Sequence, residues 1–171
     1  MAVQRGGGAS RFASANTRAG AMTRTRTLPF AGLLLAATLA QAQFRTLPEP
    51  QLAQPPQPSE AELERDYRID AARHVYSAYP TRIYQGRMPA FMYAVMVTDT
   101  EIDASGAVLK VAVVRGPASA KEVTPWVVAL IRRAAPFPAP VRLQKPVNYR
   151  EIWLVDRSGR FQVDTLTEGQ Q

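Results

Sequence analysis

From Leu63 onward, apolar side chains recur every four residues, at Leu63, Tyr67, Ala71 and Val75, with Ala72, Tyr76 and Tyr79 widening the stripe. That period predicts an amphipathic helix packed on a core. Ser59-Glu60-Ala61-Glu62 has the form of a capping box at its start, and Pro80 ends it. The pattern then changes. Phe91 to Ile102 and Val108 to Arg115 are β-branched, apolar runs separated by Asp103-Ala104-Ser105-Gly106, which predicts a hairpin. Helical spacing returns in Trp126 to Ala134, opened by Thr124-Pro125 or, alternatively, from Ser119 with Glu122 as capping partner. Pro136-Phe137-Pro138-Ala139-Pro140 stops this second helix. Tyr149 to Val155 and Arg160 to Thr165 read as two further strands around a second turn of the same D-x-S-G type, Asp156-Arg157-Ser158-Gly159. The order of helix, two strands, helix, two strands predicts an α+β domain over residues 59–171. Both helices are expected on one face of a small antiparallel sheet.

What precedes this domain has a different texture. Residues 43–58 carry five prolines and no apolar period, and are expected to form a stiff, extended linker. Before it, Arg24 and Arg26 precede the apolar run Leu28 to Ala40, and Ala40-Gln41-Ala42 has the small-x-small pattern of a signal-peptidase site. Met22 to Ala42 therefore reads as a secretory signal that leaves Gln43 first, and retention of the apolar run as an anchor is the alternative. Met1 to Ala21 is rich in Gly, Ala and Ser without periodicity, and reads as a mis-assigned start or a disordered tail.

Charge changes meaning once the leader is set aside. Five of the 21 basic residues and none of the 14 acids lie in residues 1–42, so the rest carries 16 basic against 14 acidic side chains. These are evenly spread along the sequence, which argues against nucleic acid as a partner. There is no cysteine, which removes disulfides, lipid attachment after the signal, thiolate chemistry and Cys-ligated zinc.

Catalytic means are sparse. His74 is the sole histidine, one turn after Asp70, and no Gly-x-Ser-x-Gly elbow accompanies it. An exposed helix pair explains it more simply. Asp99, Glu101 and Asp103 alternate on one strand face, but Ala104 and Lys110 occupy the glycine and glutamate positions of a calcium loop. No catalytic residue, metal ligand or cofactor is assigned. The aromatic residues Tyr76, Tyr79, Tyr84, Tyr93, Trp126, Tyr149 and Trp153 are many for one small domain, and most are expected to fill the core. Trp153 shares a strand face with Glu151 and Val155, and that strand is expected near a sheet edge, as a docking rail for an extended peptide.

Together, the leader, the proline-rich stretch and the helix–hairpin–helix–strand order resemble the C-terminal domain family of TonB and TolA, envelope energy transducers of Gram-negative bacteria. The resemblance covers about residues 70–155. It rests most on Ala129-Leu130-Ile131-Arg132-Arg133-Ala134-Ala135-Pro136-Phe137-Pro138-Ala139-Pro140, supported by Tyr79-Pro80 and by the turn Asp103 to Gly106. It implies a non-enzymatic periplasmic module that binds another envelope protein by adding its strand to a sheet edge. The matching segment is Asn148, Tyr149, Arg150, Glu151, Ile152 and Trp153. Arg160 to Thr165 would add a hairpin beyond the family's last strand. A membrane-anchored accessory transducer is the second reading and a weak hydrolase using His74 the third.

Overall fold

The computed structural model describes residues 42–169. Met1 to Gln41, including Ala40 of the expected cleavage site and the apolar run before it, lie outside the described residues, as do residues 170 and 171.

Helix α1 spans Glu64–Ala78 and buries Tyr67, Ala71, Ala72 and Val75 of the stripe the spacing predicts, with His74 and Ala78 beside them, whereas Leu63 of that stripe is exposed. Its start differs from expectation. The capping box does not form: Leu63 precedes the first turn in extended conformation, and no side chain caps the helix. Ser59 is engaged elsewhere. Its N–H donates to the Ala139 carbonyl (2.9 Å), and its hydroxyl donates to Asp70 Oδ2 (2.6 Å). A serine held in a bridge to the proline-rich segment after the second helix is not free to turn back on Glu62.

Helix α2 spans Val123–Arg133 and begins between the two expected starts. Pro125 is its third residue, where a missing N–H costs nothing because the first four helical donors have no partner within the helix. Val123, Trp126, Val127, Leu130 and Ile131 are its buried stripe.

Four strands form one antiparallel sheet in the order β2-β1-β3-β4. β1 is Ala94–Ile102, β2 Val108–Arg115, β3 Val147–Val155 and β4 Phe161–Val163. β1 therefore starts after Phe91, and β4 ends before Thr165 because Asp164–Leu166 turns into a short 3-10 helix. Strands β1 and β3 are in register from Ala94 opposite Val155 to Ile102 opposite Val147. Their alternate side chains Met96, Thr98, Thr100, Ile102, Tyr149, Glu151 and Trp153 are buried, and one apolar cluster joins this face to both helices. The two-helix, four-strand α+β architecture of the described residues is as the pattern implies.

The first hairpin is tied to the end of α2. Gly106, at a φ of +87°, accepts a hydrogen bond from Phe137 N–H (2.8 Å). Residues 44–58 have little regular structure but lie along the domain. Phe44 is buried, stacked on Tyr93 (5.5 Å between centroids) and edge-on to Trp126 (5.2 Å). Gln51 N–H supplies a partner for the α1 carbonyl of Ala78 (2.8 Å), and Glu49 pairs with Arg133 (2.8 Å).

Candidate functional site

An antiparallel strand turns its backbone groups alternately to one neighbour and the other. β4 covers the outer side of β3 only at Trp153, Leu154 and Val155. Ile152 N–H donates not to β1 but to the Glu151 carboxylate (2.9 Å), so the N–H groups of Ile152, Arg150 and Asn148 face away from β1. The stretch Val147–Ile152 is thus an open half-edge, paired on one side only. This corrects the expected position of Trp153: β3 is an interior strand, and its free edge is its first half.

The six residues of the expected rail divide accordingly. Asn148 and Arg150 are exposed and Ile152 is half-buried, while Tyr149, Glu151 and Trp153 are fully buried on the helix side. Trp153 packs on Phe161 and donates its indole N–H to Thr98 Oγ1 (3.0 Å), which makes it a core residue. Of the expected cleavage residues, Ala42 and Gln43 are exposed at the start of the described residues.

Glu151 organises the site from beneath. Its carboxylate has no solvent exposure and accepts from Ile152 N–H, Thr165 N–H (3.3 Å) and the Tyr149 hydroxyl (3.2 Å). Arg68 of α1 sits 3.6 Å away and donates to Thr165 Oγ1 (3.0 Å). Burial, and then the adjacent Glu151 charge, push the Tyr149 hydroxyl well above the ordinary phenol range, so it stays a donor. Glu151 thereby closes the edge at Ile152 and leaves Asn148 and Arg150 as the available backbone donors.

Beside them runs a polar groove of about 360 Å³ lined by Glu64, Arg65, Arg68, Asp99, Asn148 and Arg150. Arg150 pairs with Asp99 across the β1–β3 register (2.5 Å). Asp99 Oδ1 and Arg68 Nε are buried polar atoms without a hydrogen-bond partner. The α1 side chains of this groove escape sequence reading because only the packing of α1 across β3 brings them to the strand. The opposition of Asp99 and Arg150 needed the strand register, which no local signal fixed.

The other chemistry raised by the sequence is occupied structurally. Asp103 Oδ1 accepts from the Ser105 hydroxyl (2.7 Å) and from the N–H groups of Ser105 (2.7 Å) and Ala107 (2.9 Å), which hold its carboxyl below the usual range. Glu101 pairs with Lys110 (3.6 Å). Among the described residues no three His, Cys, Asp or Glu side chains converge as metal ligands.

His74 is buried, not on an exposed face, and its Nε2 contacts the Ala134 carbonyl (2.7 Å) at the end of α2. Asp70 is turned to Ser59 instead. Burial lowers the proton affinity of His74 below the ordinary value, more than the carbonyl raises it. The unfolded chain therefore binds a proton near pH 6.5 that the folded chain does not, and stability falls as pH drops through that value. We expect the native protein to lose more stability than His74→Gln between about pH 7.5 and about pH 5, as read from urea midpoints. Equal losses in both proteins would refute this role.

No protein-family model, curated protein or solved structure matches this chain.

Proposed function

We propose that this protein is a non-enzymatic module of the cell envelope that binds another envelope protein by accepting an extended segment along Asn148–Arg150. The observation that carries this reading is the open half-edge of β3 with its outward N–H groups at Asn148 and Arg150. Strand addition uses these groups for affinity and the flanking side chains for register. Four new backbone hydrogen bonds would supply about 2–6 kcal/mol, less than the ~8 kcal/mol of a micromolar complex. Side-chain contacts with the groove of Arg65, Arg68 and Arg150 must therefore supplement them. The reading agrees with the resemblance to TonB and TolA C-terminal domains, and export by the leader Met22 to Ala42 would deliver the domain to the periplasm.

A photocrosslinking side chain at Asn148, introduced in cells, tests this. We expect an adduct with one envelope protein, joined through an extended segment identified by mass spectrometry. Arg150→Pro deletes an outward N–H without touching the β1 ladder and should reduce the adduct about tenfold. A folded Arg150→Pro protein with undiminished adduct would overturn the proposal.

A further inference from the structure

Charges spread evenly along the sequence are paired unevenly in space. At the end of the sheet bearing the β1–β2 turn, the acids are largely paired: Glu60 and Glu62 with Arg142, Glu101 with Lys110, and Asp99 with Arg150. The opposite end is built around the β3–β4 turn, and its cations are free. Arg157 lies over the Tyr93 ring (5.1 Å), and Arg82 Nη1 is within 3.5 Å of where a Gly159 Cβ would stand. Arg160 follows that glycine, and Arg45 follows Phe44, which stacks on the same Tyr93. None of these four arginines forms an ion pair among the described residues. Asp156, which accepts from the Ser158 N–H, and Glu122, which accepts from the Tyr93 hydroxyl, also lie here, and neither is ion-paired with these arginines.

Phe91 precedes Tyr93 by two residues in the chain and is 96% exposed, the most exposed large apolar side chain of the described residues. A free guanidinium cluster around a protruding aromatic ring suits a bilayer interface: phosphates pair with the arginines while the ring enters the headgroup boundary. Gln43, three residues after the apolar stretch in the sequence, packs against Gly159.

We propose that this end of the domain docks on an anionic phospholipid surface, with Arg45, Arg82, Arg157 and Arg160 on the headgroups and Phe91 inserted. The inference is independent of strand capture, and it turns the open half-edge of β3 away from the bilayer.

Co-sedimentation of the full chain tests it, using vesicles of phosphatidylcholine alone and vesicles with equal parts of phosphatidylglycerol. The leader, with its apolar run and five arginines, adds a constant share to binding of both kinds and to the preference for anionic vesicles, so the readout is the drop in that preference on substitution within the domain. Each arginine near the surface is worth about fivefold, so Arg82→Gln/Arg157→Gln/Arg160→Gln should lower the preference about a hundredfold. Phe91→Ser, at a fully solvated position that the fold does not use, should lower binding to anionic vesicles about tenfold. Lys110→Gln, at the other end, should change nothing, and raised salt should erase the preference. No preference for anionic vesicles, or a preference that survives both the triple substitution and Phe91→Ser, would overturn the inference. So would retention of the chain on polyglutamate without vesicle preference, which would assign the cluster to an acidic polypeptide.

Discussion

A Trp153→Asp protein is expected to show no cooperative thermal transition. Trp153 is fully buried, packs on Phe161 (5.1 Å between centroids) and satisfies its indole N–H on Thr98. Truncating such a side chain costs about 3–5 kcal/mol. A carboxylate in its place adds the cost of an unpaired polar group in the core, a further few kcal/mol. Against a domain stability of about 5–15 kcal/mol, alanine should leave a folded but weakened protein and aspartate should not fold. Circular dichroism melting separates the cases; an aspartate variant melting within a few degrees of the native protein would show that Trp153 is not a core residue.

Gly106→Ala should be nearly as damaging as Trp153→Ala, although it adds one methyl group at a hairpin tip. The new Cβ would stand 2.0 Å from the carbonyl oxygen of Phe137, a backbone atom that cannot swing aside. The positive φ costs roughly 1–2 kcal/mol for a residue with a Cβ. Separating the tip from Phe137 sacrifices the 2.8 Å bond between Phe137 N–H and Gly106, about 1 kcal/mol more. A total near 3 kcal/mol corresponds to a melting temperature lower by roughly 10–20 °C. Gly86→Ala provides the contrast, because it has a similar φ of +77° and open space around the missing Cβ. If the two variants melt alike, the contact with Phe137 contributes nothing beyond backbone strain.

These two positions show where sequence reasoning reached its limit. Apolar periods located α2, β2 and the hairpin closely, because burial of one face imposes spacing whatever the partners. Local signals misplace the start of α1 because Ser59 has two local uses, and a residue eighty positions away, Ala139, decides between them. Alternation specifies the faces of the strand that carries Trp153 and says nothing about its neighbours. That β3 lies between β1 and β4 follows from pairing with Ala94–Ile102, a distant segment. The site was legible in part. Asn148, Arg150 and Ile152 lie on the open stretch, whereas Glu64, Arg65 and Arg68 reach it only through packing. The arginine-rich end has no local signal, since Arg82 and Arg157 lie far apart in sequence and come to the same end of the domain only in the fold.

The packing of residues 44–58 on the domain has a mechanical consequence. Load applied to the chain ahead of Gln43 would meet its contacts in series: the Phe44 ring between Tyr93 and Trp126, then Glu49 on Arg133, then Gln51 on Ala78. Each would yield singly, as a zipper does, while the β1–β3 ladder behind them remained unloaded. Stripping this segment would pay out roughly 50 Å of chain at ~3.1 Å per residue before the strain reached α1. Under such a load, the stretch that reads as a spacer would behave as a stowed tether.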